Sequence, residues 1–305
     1  MKHIRIGTRG SKLALWQANH VAALLLKNGW NTQIVTIETK GDKILDVSIS
    51  KIGSKGVFTE EIEEQLRSGA IDIAVHSAKD LQSSLPDDLH IIAATEREEA
   101  SDVLIAPASI DLEKPLRIGT SSTRRVAFVK KYYPPFTATP VRGNLQTRIS
   151  KMQQGDCDAL LLAEAGVIRM GYQELIRYKF PKTEFIPPVG QGIVAIEASK
   201  SLNPLIYKAL RDFVNHDKAE QCLILEREYL RELDGGCSIP AFCHAEINQD
   251  KVQLTGGIMS LDGKEYLEEK IEVNLEKASG EGTGLAKKIL SQGGSKILSD
   301  IRKQL

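Results

Sequence analysis

A strand–glycine–helix pattern occurs twice in the first half of this chain, and it restricts the fold more than any other feature. Ile4-Arg5-Ile6 runs into Gly7-Thr8, a polar turn at Arg9-Gly10-Ser11, and then a helical pattern. Leu116-Arg117-Ile118 likewise runs into Gly119-Thr120, a polar turn at Ser121-Ser122, and another helix. A second echo follows each. A predicted helix over 60–68 stops at Gly69 and gives way to Ala70–Val75; one over 145–154 stops at Gly155 and gives way to Asp156–Leu162. Both read Gly-x-x-Asp before an apolar run, which is the pattern of a helix C-terminal glycine, a turn and a buried parallel strand. The shared order predicts two similarly built α/β lobes of the doubly wound kind.

Ligands in such sheets sit beyond the carboxyl ends of the strands. Thr8–Ser11, His76–Asp80, Thr120–Arg125 and the turn after Leu162 are therefore expected along one cleft between the lobes. Pro187–Gly192 reads as a hinge crossing, and Ile193–Glu197 as a strand returning to the first lobe. The expected division is lobe 1 at residues 1–97 with a returning segment at about 192–212, lobe 2 at 98–189, and a different, smaller unit at 215–305. That last unit opens with a charged amphipathic helix, Asp217–Leu233, which halts at Asp234-Gly235-Gly236-Cys237. Strand-like runs at 241–247, 251–259 and 265–273, joined by short polar turns, predict an antiparallel sheet. Helical segments near 283–291 and 295–304 complete a small α+β domain.

Charge is distributed unevenly. The chain has 40 basic and 40 acidic residues, yet the 42 residues between Glu113 and Asp156 contain no acid and nine Lys or Arg. A neutral protein that concentrates positive charge in this way has either a solvated basic face or a place for an anion. The local pattern favours the anion. Free backbone N–H groups at a helix start, with the hydroxyls of Ser121, Ser122 and Thr123, form an oxyanion pocket. The forks of Arg124, Arg125, Arg142 and Arg148 suit carboxylate or phosphate. Nucleic acid fits poorly, because the whole chain is neutral and its arginines lie in tight turns.

The N-terminus lacks the pattern of a secretory signal, and no apolar run approaches the ~20 residues that span a bilayer. The four cysteines have neither metal-type nor disulfide-scaffold spacing, and the six histidines are scattered, so no metal site is expected and a reducing cytoplasm fits. Cys157 and Cys222 fall inside apolar or helical patterns and read as structural. Cys237 follows two glycines in a turn, and is either a small buried residue or an accessible thiol able to serve as nucleophile or attachment point. His76-Ser77-Ala78-Lys79-Asp80 ends a buried strand. There Asp80 is either a ligand-facing carboxylate, kept ionised by the arginines, or half of a surface pair with Lys79 worth ~0–1 kcal/mol. Lys55 lies in the glycine-flanked loop Gly53–Phe58, which lacks P-loop spacing.

These segments together resemble the porphobilinogen deaminases, also called hydroxymethylbilane synthases. The matching stretches run in order along nearly the whole chain: IGTRGSKLALWQA at 6–18, GSKGVFTEEIE at 53–63, DIAVHSAKDL at 72–81, GTSSTRR at 119–125, RGNLQTR at 142–148, LAEAGVIRMG at 162–171, VGQGIVAIE at 189–197 and LDGGCSIP at 233–240. The resemblance implies two periplasmic-binding-protein-like lobes and a C-terminal domain presenting a cysteine. It implies a transferase that condenses four porphobilinogen units head to tail, with loss of ammonia, on a dipyrromethane primer, and then releases hydroxymethylbilane by hydrolysis. Cys237 matches the residue that holds the dipyrromethane cofactor through a thioether. Asp80 matches the catalytic aspartate, thought to face pyrrole N–H groups and stabilise the cationic azafulvene left by ammonia. Arg9, Ser11, Lys79, Ser122, Arg124, Arg125, Arg142, Arg148 and Arg169 match cofactor- and substrate-binding positions. Lys55 matches a mobile-loop lysine, and Gln191 a glutamine of the interdomain crossing. A monomer is implied, as is hand-off of product to uroporphyrinogen-III synthase. Ala78, Gln82 and Thr123 depart from the family's usual methionine, proline and leucine, which bears on rate rather than reaction type. A non-catalytic two-lobed anion binder is the rival reading, and it requires neither an exposed Cys237 nor a third domain.

Overall fold

A computed structural model of the chain describes residues 3–43, 56–236 and 238–304. Strand β1 (His3–Arg9) pairs in parallel with β2 (Asn31–Ile37) and β3 (Ile73–Ser77). With β4 (Leu89–Ala94) and β10 (Val194–Ser199) these form a five-stranded sheet in the order β2-β1-β3-β10-β4. Helix α1 (Lys12–Leu26) starts where Ser11 caps it, the Ser11 hydroxyl accepting from Ala14 N. It lays Ala18, Val21 and Leu25 over Ile4, Ile6, Ile73 and Val75. A one-turn helix α2 (Lys40–Lys43) precedes α3 (Glu60–Arg67), which buries Ile62 and Leu66 against the opposite face. Gly69 ends that helix with φ +70°, a conformation that only glycine adopts without strain.

The second sheet repeats the plan. It contains β5 (Asp102–Ile105), β6 (Arg117–Gly119), β7 (Thr137–Thr139), β8 (Ala159–Ala163) and β9 (Ile176–Lys179), in the order β7-β6-β8-β5-β9. Its helices are α4 (Thr123–Tyr132), α5 (Leu145–Gln153) and α6 (Glu164–Arg169), and Gly155 repeats the role of Gly69 at φ +89°.

The two α/β lobes expected from sequence are present, and each sheet also contains antiparallel pairs. β10 runs antiparallel to β3 and β4, and β5 antiparallel to β8 and β9. The reason lies in the crossings. β5 follows β4 in the chain yet joins the second sheet, whereas β10 follows β9 and joins the first. Each enters beside the carboxyl end of a strand from the parallel set, Val194 opposite Ser77 of β3 and Asp102 opposite Ala163 of β8, and so must run the other way. The chain therefore crosses between sheets twice, at 95–101 and again before Val194.

After α7 (Pro204–Phe213), helix α8 (Asp217–Glu232) packs on a three-stranded antiparallel meander of β11 (Ala241–Asn248), β12 (Lys251–Met259) and β13 (Tyr266–Asn274). Helices α9 (Glu281–Ile289) and α10 (Ser295–Gln304) close that core around Tyr229, Leu254, Ile258 and Ile289. Cys157, Cys222 and Cys243 are free and buried. Burial pushes the Cys222 thiol up to about 12 and that of Cys243 well above its usual value, so neither forms a thiolate near neutral pH. Cys237 lies outside the described residues. Among the described residues no helix is long and apolar enough to cross a membrane.

Candidate functional site

Asp102 opens β5 with its side chain wholly buried, and it organises the seam between the two sheets. Arg124 Nη2 donates to its Oδ2 at 2.5 Å, and Arg125 Nη2 and Nε donate to its Oδ1 at 2.7 and 3.1 Å. Burial alone would raise this carboxyl, but the two guanidiniums override it and hold it down at about 2. Gln191, itself fully buried in the second crossing, donates through Nε2 to Asp102 Oδ1 (3.1 Å) and to the Ala100 carbonyl (2.6 Å). The Gln191 Oε1 accepts from Lys79 Nζ at 3.4 Å. Lys79, Gln191, Asp102, Arg124 and Arg125 thus form one network spanning both sheets.

Lys79 and Asp80 occupy a single 3-10 turn, Ala78–Asp80, at the carboxyl end of β3. The Asp80 side chain is exposed, and among the described residues no donor hydrogen-bonds to it. Burial and then Arg125 push the Lys79 ammonium down to about 8, with Asp80 and Asp102 opposing. The same causes, burial first and Arg125 second, push Arg148 down to about 10, again opposed by Asp80 and worsened by Arg142. Arg148 Nε donates to the Gly143 carbonyl at 2.8 Å, at the start of α5. Among the described residues neither Lys79 nor Arg148 has a carboxylate at ion-pair distance.

The other expected site residues are placed as follows. Ser11 and Ser122 are helix caps at equivalent positions, the Ser122 hydroxyl accepting from Arg125 N. The first turns of α1, α4 and α5 contain no acid, so their free N–H groups and dipoles favour an anion. Arg9 is paired with Asp42 and stacks over the Phe58 ring at 4.2 Å. Burial opposes ionisation of Asp42, but Arg9 and the Thr39 hydroxyl hold it below its usual value. Arg169, on α6, donates to the Gly192 carbonyl at 2.7 Å and lies over Trp16 of α1 at 5.2 Å, bridging the sheets at the second crossing. Lys55 and Cys237 are outside the described residues. His76 is buried at the end of β3, its Nε2 3.2 Å from Glu197 Oε2. Among the described residues no group of three or more His, Cys, Asp or Glu side chains could hold a metal ion.

Asp102 escaped the sequence reading. Its only signal is an acid leading the apolar run Val103–Ile105, just before an arginine-rich stretch without acids of its own. The residues fit a polycarboxylate such as dipyrromethane. One buried carboxylate serves two guanidiniums, and burial and then Arg125 lower the pKa of both Lys79 and Arg148, so the seam has positive charge to spare.

A seam of this kind between two like-built α/β sheets defines a two-lobed protein with a cationic, anion-receiving cleft. Residues 4–206 match the family model described as "Porphobilinogen deaminase, dipyromethane cofactor binding domain", and residues 220–291 match "Porphobilinogen deaminase, C-terminal domain". A porphobilinogen deaminase of Cytophaga hutchinsonii is 53% identical over 307 residues, covering 100% of this chain and 98% of the relative. One of Desulfosudis oleivorans is 49% identical over 305 residues, covering 99% and 98%. Among solved structures, the methionine-binding protein MetQ is 11% identical with a TM-score of 0.45, over 72% of this chain and 90% of that one. A TRAP periplasmic solute-binding protein from Desulfovibrio salexigens is 13% identical with a TM-score of 0.42, over 72% and 73%. The chain belongs to the porphobilinogen deaminase family: it is an enzyme of tetrapyrrole biosynthesis, and it contains the family's dipyrromethane cofactor-binding domain.

Proposed function

We propose that the cation-rich seam is the active site of a transferase that condenses porphobilinogen, with Asp80 as its catalytic carboxylate and Cys237 as the cofactor attachment point. The observation that carries the reading is the surplus of positive charge around Lys79, Arg125 and Arg148, next to an exposed carboxylate that has no partner among the described residues. Bound dipyrromethane supplies a nucleophilic pyrrole carbon on which the chain grows. Lys79, Arg142, Arg148 and Arg169 receive the acetate and propionate groups of the pyrroles, assisted by the helix starts behind Ser11 and Ser122. Arg124 and Arg125 set the field of the cleft from behind, through Asp102, and Arg9 borders it from the first lobe; Lys55 takes part in binding as the family resemblance implies. Asp80 accepts hydrogen bonds from pyrrole N–H groups and stabilises the positive charge that develops as the aminomethyl group leaves as ammonia.

Three units, 1–97 with 192–212, 98–189 and 215–305, divide these tasks, the last presenting Cys237. The enzyme works as a cytoplasmic monomer and passes its product to uroporphyrinogen-III synthase; the ordered match to the family along the chain supports these points.

The primary test is the intact mass of denatured protein. Wild type is expected to carry the extra mass of two linked pyrrole units, and Cys237→Ala none. A wild type that stays unmodified even after incubation with porphobilinogen overturns the reading. A second expectation concerns pH. Lys79 is charged below about pH 8 and loses its proton above it, so KM for porphobilinogen should rise across that value as the cleft loses a positive charge. Lys79→Arg, whose guanidinium stays charged, should abolish the alkaline rise. An unchanged KM profile in the variant would remove Lys79 from carboxylate binding.

A further inference from the structure

Two consecutive side chains on α8 hold the Asp80 turn, one on each side. Arg227 donates through Nη2 to the carbonyls of Gln82 (2.9 Å) and Ser83 (3.3 Å), just beyond Asp80. Glu226 is wholly buried and accepts from Gly190 N (2.7 Å), Ala245 N (2.8 Å) and Arg97 Nη2 (2.7 Å). Gly190 rests against the turn itself. At its φ of +72° a Cβ would fall 2.8 Å from Ala78 Cβ and 3.1 Å from Lys79 N. Ala78 N in turn donates to the Ile193 carbonyl at 3.0 Å. The turn is thus bounded by a segment that Glu226 fixes and by two carbonyls that Arg227 fixes.

The chemistry of Arg227 indicates grip rather than simple filling. Its Nη1 is buried without a partner among the described residues, and burial pushes the guanidinium down to about 10 against the opposing charge of Glu197. Glu197 is itself fully buried, with His76 Nε2 at 3.2 Å from its Oε2, and among the described residues neither of its oxygens is hydrogen-bonded. Apolar side chains would occupy this space at a lower desolvation cost. What a guanidinium adds is a planar donor able to hold two successive carbonyls in one geometry.

We propose that Arg227 and Glu226 are positioning residues for the deaminase reaction, acting through the Ala78–Ser83 turn and the Gly190 loop to fix the Asp80 carboxylate against the cation seam. The proposal rests on the assignment of Asp80 made above. Catalytic groups must be held to within about 0.5 Å, and a misplacement of about 1 Å costs on the order of 100-fold in rate. Helix α8 then serves as the frame to which the turn is referenced, and five residues after its last residue the sequence reaches Cys237.

The experiment compares wild type, Arg227→Met, Arg227→Lys and Asp80→Asn, each checked by intact mass for bound pyrrole and normalised to folded protein. Arg227→Met is expected to keep the pyrrole mass and a KM within about threefold of wild type, while kcat falls roughly 10- to 100-fold. Arg227→Lys should restore part of kcat. Hydrogen exchange at the amides of 78–84 should quicken in the Lys variant while the α8 amides keep wild-type rates, and this reading stands even if the Met variant does not fold. Wild-type kcat in Arg227→Met beside an inactive Asp80→Asn overturns the positioning role alone. So does unchanged exchange at 78–84 in the Lys variant. An Asp80→Asn variant that turns over normally overturns the assignment of Asp80 and this proposal with it.

Discussion

Asp80→Asn is expected to fold, acquire its pyrrole mass and lose turnover by about 10³-fold, roughly 4 kcal/mol of transition-state stabilisation. The substitution keeps size and one acceptor oxygen but removes the negative charge. In the structure that charge stands at the exposed end of a strand buried along most of its length, on a turn tied at both sides. Its surroundings are cationic, since it opposes the lowering of both Lys79 and Arg148. A negative charge placed there can stabilise the cation that develops as ammonia leaves. Single-turnover assays on samples of equal pyrrole content, judged by mass, make the comparison. Turnover near the wild-type rate in a correctly folded variant would remove Asp80 from the chemistry.

Asp102→Ala is expected to cost about 3–5 kcal/mol of stability, seen as a fall in melting temperature of about 10 °C. It leaves Arg124 and Arg125, both buried, without their shared carboxylate, and it frees the Gln191 amide that ties the second crossing to β5. The acid side of the wild-type stability curve should bear the same signature. The carboxyl titrates at about 2 in the fold against an ordinary value of 3.8, so its contribution, roughly 2 kcal/mol, is present above about pH 4 and lost as pH falls toward 2. In Asp102→Ala that part of the acid dependence should vanish. A variant melting within a degree or two of wild type would mean that the arginines find other acceptors.

The parts legible in the sequence are those with a local signature. Gly69 and Gly155 announce helix ends because a positive φ favours glycine, and Ser11 and Ser122 announce helix starts because a short hydroxyl satisfies a free N–H. The meander of β11 to β13 is written in its alternation and its short turns. What escaped depends on distant partners. Ile193–Glu197 returns to the first sheet as its position in the chain suggests, but nothing within Val103–Ile105 or Val194–Ile196 says that the strand runs antiparallel to its neighbours. Arg124 and Arg125 look free in a stretch without acids, yet their counterion stands 22 and 23 residues earlier, at the head of a strand. Arg9 likewise has its counterion at a distance in the chain, in Asp42. Sequence supplies the residue types, but not how many of their charges the fold itself consumes.

The exchange of β5 and β10 between the sheets also sets an order of events during synthesis. The first sheet cannot close until Val194–Ser199 has left the ribosome, because β3 and β4 meet only through β10. At about 5–20 residues per second, the nascent chain holds β3 with an open hydrogen-bonding edge for roughly ten seconds after Ser77 emerges. Meanwhile the second sheet, whose strands run without interruption from β5 to β9, can assemble first. The N-terminal lobe is therefore begun first and finished last, and during that interval an unpaired apolar strand is exposed to other chains.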